Sequence, residues 1–220
     1  MLFDLRSRGR RRTVQAVYLG LAIILGGGLV LFGVGTGTGG GGLLNAFGGG
    51  SSNQKQVISS DEKNALKAVK ANPNDPSGWA QLVQARWTSA GQGNNFNQNA
   101  GTFTASGKKE LSATAQAWQK YLSLTKNPNS DIAILAARAY SALGDYANQA
   151  AAWEIETAAS PKEPKGFECL AASAYAAKQT RKGDLAAARA ISLTPKVSRL
   201  TVTQTLKQAK TNPAASAQQC

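Results

Sequence analysis

The sequence predicts an all-α protein: one membrane-crossing helix, a flexible leash, and a helical-repeat (α-solenoid) domain of about three helix pairs closed by a capping helix. Three observations carry that expectation. Residues 13–34 hold no charged side chain. From Ser59 onward Ala, Leu, Lys and Gln recur at about 3.6-residue spacing, and no alternating β-branched run is long enough for a strand. Prolines then punctuate the helical part at a regular beat of about 34 residues, the length of a helix-pair repeat.

At the N-terminus Arg6, Arg8, Arg10, Arg11 and Arg12 precede the uncharged stretch, in which twelve of 22 residues are Leu, Ile, Val or Phe. A helix of that length spans roughly 33 Å, against about 30 Å of hydrocarbon core. The apolar run is longer than the roughly 7 to 15 residues of a cleaved signal peptide, and no A-x-A site follows, so it reads as a signal anchor. Arginine on one flank, with no Lys or Arg between Arg12 and Lys55, places residues 1–12 in the cytoplasm and the remainder outside the cell membrane. Residues 35–58 read as a leash, since ten of the eighteen residues from Gly33 to Gly50 are glycine. Coil of this kind reaches about 25 Å root-mean-square. No G-K-[ST] follows these glycines, so a phosphate-cradling loop is excluded.

The helical domain covers 59–210. Ser59 and Glu62 form a capping box for a helix ending near Asn72-Pro73, and Asp75-Pro76 opens the next with a cap and a proline in the first turn. Pro128, Pro161 and Pro195 mark two successive beats. Pro73 and Pro128 lie farther apart, and the excess over one beat equals the length of one polar, Gly/Asn-rich stretch, 88–108, read as an inserted loop. Residues 211–220 read as a flexible tail. With the loop set aside, the beat is that of stacked helix pairs. Ala137, Tyr140, Leu143-Gly144-Asp145-Tyr146, Trp153 and Pro161 resemble the tetratricopeptide repeat. A unit before it uses Trp79, Leu82 and Val83, then Ala117, Trp118, Tyr121 and Pro128. A unit after it uses Ala171, Ala172 and Tyr175, then Gly183-Asp184-Leu185, Ala188 and Pro195, with an irregular turn because Tyr175 and Gly183 are eight apart where Tyr140 and Gly144 are four apart. Residues 195–210 read as the capping helix, covering the last pair with Val197, Leu200, Val202 and Leu206.

Catalysis is not expected. The chain has no histidine, which removes the commonest general base and metal ligand. Glu154 and Glu156 diverge by about 200° around a helix and cannot converge on one substrate. Glu163 and Glu168 straddle a helix start, where acidic residues serve the helix dipole. No cofactor or metal constellation is visible. Cys169 and Cys220, 51 residues apart, either pair in an oxidising space or remain a small buried residue and a free thiol.

Binding is the expected use. The tetratricopeptide resemblance implies a concave surface that reads a polypeptide, with Asp131, Ile134, Arg138 and Ser141 facing it from the best unit and Gln84 and Trp87 from the unit before. Of these only Arg138 suits capture of a peptide carboxylate. Charge offers a second surface: from Lys162 to Lys210 ten basic residues face three acidic ones. Lys178, Arg181, Lys182, Arg189, Lys196 and Arg199 are the candidate contacts for anionic lipid or an envelope polymer. Nucleic acid is disfavoured, because Phe167 and Tyr175 are the only aromatics there and both fit the helical core. The sequence thus predicts a single-pass, membrane-tethered protein-interaction module, similar to the tetratricopeptide proteins that attend secretion or envelope-assembly machinery, with an anionic-surface binder as the alternative.

Overall fold

The computed structural model describes residues 59–220. The residues expected to form the arginine arm, the spanning helix at 13–34 and the leash lie outside the described residues. Within those described, no helix is long and apolar enough to cross a membrane.

Nine helices make up most of the described chain, and local chemistry sets their ends. Ser59 accepts from the Glu62 amide to open α1 (Ser60–Ala71), and Asp75 accepts from the Ser77 amide to open α2 (Pro76–Ala90). Thr104 caps α3 (Ala105–Leu124), and Asn129 caps α4 (Ser130–Leu143). Asp145 caps α5 (Tyr146–Ala159). A proline in the first turn starts α6 (Pro164–Ala176), and α7 (Thr180–Leu193) follows after a tight turn. The chain ends with α8 (Arg199–Thr211) and the short α9 (Pro213–Gln218).

Each helix from α1 to α8 packs on the next, and α2 also reaches α4. One core runs through the stack. Leu82, Val83, Trp118, Tyr121, Tyr140, Trp153 and Tyr175 fill it among many buried alanines, whose small side chains allow close helix approach.

The helix starts repeat: the step from Ser130 to Pro164 equals the step from Tyr146 to Thr180, and both match one beat of the prolines. The turns repeat too. Gly144 (φ 75°) closes α4 in the left-handed region, with the Asp145 amide donating to the Tyr140 carbonyl at 2.9 Å. Lys178 (φ 60°) closes α6 in the same way, with the Gln179 amide donating to the Ala174 carbonyl at 2.8 Å. This corrects the expectation that Gly183 marks an irregular turn. Gly183 lies inside α7, buried against the Tyr175 ring, where a Cβ would collide with the ring edge.

The 88–108 segment is also corrected. Helix α2 continues to Ala90 and α3 begins at Ala105, so the insertion is shorter and it is folded. A 3₁₀ turn, Gly93–Asn95, leads into a hairpin of β1 (Phe96–Asn97) and β2 (Thr102–Phe103), with Phe96 opposite Phe103. Buried Asn95 donates its amide to the Ser89 carbonyl at 2.8 Å, and Phe103 meets Phe96 edge to face and lies tilted against Trp87. A polar sequence folds here because its anchors are one buried amide and a three-ring cluster, which leave no periodic pattern.

The end of the chain departs furthest from expectation. Residues 213–218 are helix, not flexible tail; α9 contacts α4, α6 and α8, and Ala217 is fully buried. Six mostly small residues carry too little periodicity to announce a helix. A disulfide between Cys169 of α6 and Cys220, Cα atoms 5.5 Å apart, fastens the segment. Nor do all four cap residues cover the last pair: Leu206 is buried and Val202 half-buried, whereas Val197 is 93% and Leu200 71% exposed.

Candidate functional site

Two clefts gather most of the candidate residues. The first, with a volume of about 520 Å³, is lined by Trp87, Phe103, Arg138, Ser141, Ala142 and the α9 end, Gln218 to Cys220. Helix periodicity on α4 places Arg138 and Ser141 one turn apart on one face. Arg138 is exposed, so it offers a solvated guanidinium to the opening. Trp87 and Phe103, with ring centroids 6.2 Å apart, form an aromatic wall.

The end of the chain forms one wall of this cleft, and α9 packs beside it. The Ser141 hydroxyl donates to the Ala217 carbonyl at 3.2 Å, and the Gln149 amide donates to the same oxygen at 2.8 Å. Ser141 is therefore largely buried beside α9, at the inner wall of the cleft. Ile134 is half-buried, packs against the core and does not line the cleft. Gln84 and Asp131 are exposed but do not line the cleft, so three of the six expected groove residues, Trp87, Arg138 and Ser141, come together.

Neither a protein family, nor a characterised protein, nor a solved structure matches this chain.

The second cleft, of about 820 Å³, opens between α6 and α7. Phe167, Leu170 and Leu185 make an apolar floor, and Lys178, Arg181, Lys182 and Arg189 stand around it, so four of the six basic candidates are assembled. Two of these cations are already engaged. Lys182 pairs with Glu154 at 2.7 Å, while Arg189 donates to the Pro161 carbonyl at 3.0 Å and lies over the Phe167 ring. Arg181 and Lys178 are both exposed. Lys196 and Arg199 do not line this cleft; they sit at the turn into α8, where the Arg199 Nε donates to the Thr194 carbonyl at 2.9 Å.

The other polar groups hold structure together. Tyr175 donates its hydroxyl to Asp184 at 2.8 Å, and Lys210 donates to the same carboxylate oxygen at 2.7 Å, tying α6, α7 and α8. The Lys210 and Tyr175 hydrogen bonds hold the Asp184 carboxyl below the usual carboxylate range, and burial followed by the Asp184 contact pushes the Tyr175 phenol up. Burial likewise raises the Glu156 carboxyl, aided by the negative charge of Glu163 against a lowering hydrogen bond from Ser160. Among the described residues no group of three or more His, Cys, Asp or Glu is placed to hold a metal ion. Sequence reasoning missed Phe103, Gln149, Leu170 and Gln218 as site residues. Their roles come largely from the hairpin and from α9, which no helical spacing announces.

Proposed function

We propose that the protein is a membrane-tethered, extracytoplasmic protein-interaction module of tetratricopeptide-like design, in which the cleft beside Arg138 takes a polypeptide segment. The observation that supports this reading is the segment already seated there. Helix α9 lies against α4 and α6, and two side chains from the repeat converge on one backbone carbonyl, that of Ala217. A surface that recognises a backbone carbonyl through paired donors, beside an aromatic wall and a solvated arginine, has the chemistry of a peptide-binding groove. No nucleophile, acid–base pair or cofactor cradle enters this reading.

A photo-crosslinking residue placed at Gln219 or Arg138 of the full chain, both on the cleft, in its native membrane, tests it. The expected product is a discrete polypeptide adduct that weakens when Trp87 is replaced by alanine. Absence of any polypeptide adduct from both positions, with Trp87→Ala and Arg138→Ala leaving every binding partner retained, would overturn it.

A further inference from the structure

Two apolar side chains at the turn into α8 stand in solvent where a capping helix would be expected to bury them. Val197 and Leu200 are 93% and 71% exposed, and Leu185 on α7 is 65% exposed. Cations are interleaved with these three in the sequence: Arg189, Lys196 and Arg199. At the start of α7, Lys178 and Arg181 border the cleft that Leu185 helps to floor. No acidic residue follows Asp184 in the sequence, and Asp184 is itself paired with Lys210. Lys196 and Arg199 are therefore set in a stretch of chain that carries no carboxylate side chain to oppose them.

The type of partner follows from the shape of this feature. A polypeptide partner anchors an apolar side chain in a walled pocket, which is where binding energy concentrates. Val197 and Leu200 line neither of the two clefts; Val197 projects from a short 3₁₀ turn, Lys196–Ser198, and Leu200 from the first turn of α8. Projecting aliphatic tips need a soft apolar medium instead of a pocket, and cations beside them need a dense plane of negative charge. A bilayer interface rich in anionic lipid offers both: headgroup phosphates for the cations and the acyl boundary a few ångströms below for the tips. Lysine and arginine suit that boundary because their alkyl stems lie along apolar surface while the charge stays with the phosphates. The sequence supplies proximity, since the uncharged stretch at 13–34 is of spanning length and a glycine-rich stretch separates it from the helical domain. Attachment of this kind turns docking into an intramolecular event at an effective concentration of about millimolar, so a weak contact suffices.

We propose that the α7–α8 corner is a lipid-docking surface, in which Val197 and Leu200 enter the interface and Lys196 and Arg199, interleaved with them, contact anionic headgroups. It holds the helical domain against the membrane that carries the chain, and so rests on the membrane-tethered reading above. The groove beside Arg138 is a separate surface, so failure of peptide capture there leaves lipid docking standing.

Hydrogen exchange on the full chain in nanodiscs tests the docking. One preparation contains phosphatidylcholine alone and the other contains a third phosphatidylglycerol. Incorporation of the chain into both kinds of disc reads the membrane tether by itself, apart from any docking. In the anionic discs the amides of 196–202 should exchange more slowly than in neutral discs by about tenfold, and the difference should vanish in half-molar salt. The double variant Val197→Ser, Leu200→Ser should lose most of the protection while its circular dichroism is unchanged, because both side chains are exposed in the fold. Equal exchange in the two discs, or protection that survives both the double variant and the salt, overturns the proposal. So does protection that appears only on adding polyglutamate, which would assign the surface to an acidic polypeptide.

Discussion

Lys178 occupies, one repeat further along the chain, the left-handed backbone position that Gly144 occupies at the end of the preceding first helix. The two turns share their hydrogen bonds but not their residue. Glycine enters that region without steric cost, whereas a side chain costs about 1 to 2 kcal/mol there. Lys178→Gly should therefore stabilise the protein by about 0.5 to 1 kcal/mol, the relief being partly offset by the greater freedom of glycine in the unfolded chain. Gly144→Ala is the reciprocal case. An added Cβ there meets nothing within 4 Å, so its cost is backbone strain alone, about 1 kcal/mol. Urea unfolding of the two variants should give midpoint shifts of opposite sign.

The covalent link between Cys169 and Cys220 spans a sequence separation of 51 residues. On the chain-entropy model a loop of that size contributes about 4 kcal/mol. The double variant Cys169→Ser, Cys220→Ser should unfold at a clearly lower urea concentration, and reduction of the native protein should reproduce that shift. Ser141→Ala should cost about 1 kcal/mol in the oxidised protein, since it removes one of two donors to the Ala217 carbonyl. With the disulfide removed and α9 free to leave, the same substitution should cost much less. A double-mutant cycle reads that coupling directly.

Gly183 is a point of close approach between α7 and α6. A methyl group there meets the Tyr175 ring, and the ring cannot swing aside without breaking the hydroxyl contact to Asp184. Gly183→Ala should cost about 1 to 3 kcal/mol as an overpacking change, despite the better helix propensity of alanine. Pairing it with Tyr175→Phe, which keeps the ring, should leave most of the loss. Pairing it with Tyr175→Leu should recover part of it. Urea midpoints of the single and paired variants check both statements.

How far the sequence discloses this architecture depends on the range of the interaction concerned. Ser59, Asp75 and Asn129 act within three residues of themselves, so helix starts are legible from local chemistry. The core aromatics Trp118, Tyr140 and Trp153 are legible from their spacing on apolar helix faces. Gly183 misleads because a glycine followed by an acidic residue resembles the turn at Gly144-Asp145, while the true turn is hidden under a lysine. Val197 and Leu200 mislead because a helical pattern names a face without saying whether anything lies over it. Ser141 and Ala217 are far apart in sequence, and their contact is fastened by a disulfide whose pairing no spacing establishes. The packing of α9 beside the cleft is illegible for that reason.

Two carboxyls give stability opposite responses to pH. Asp184 is held below its ordinary value by Lys210 and Tyr175, so its contribution is present above the unfolded carboxylate range and is lost as pH falls through its lowered pKa. Glu156 behaves in the reverse sense. Burial against α6 raises its carboxyl above the ordinary 4.5, and Oε2 has no hydrogen-bond partner. The native state thus binds the Glu156 proton more tightly than the unfolded chain does, and the stability linked to it is full below the unfolded value and lost as pH rises through the raised one. When ionised, this carboxylate is a buried charge opposed by its burial and by Glu163, with the Ser160 hydrogen bond as partial compensation. Glu156→Gln keeps the shape and removes the charge, so it should raise the thermal midpoint near neutral pH and change it little at about pH 4, where the native carboxyl is already protonated. Asp184→Asn should do the opposite, lowering the midpoint near neutral pH and converging with the parent in acid. Thermal melts of both variants across that range decide the matter, and a Glu156→Gln protein less stable than the parent at neutral pH would show that the carboxylate is held by a favourable contact.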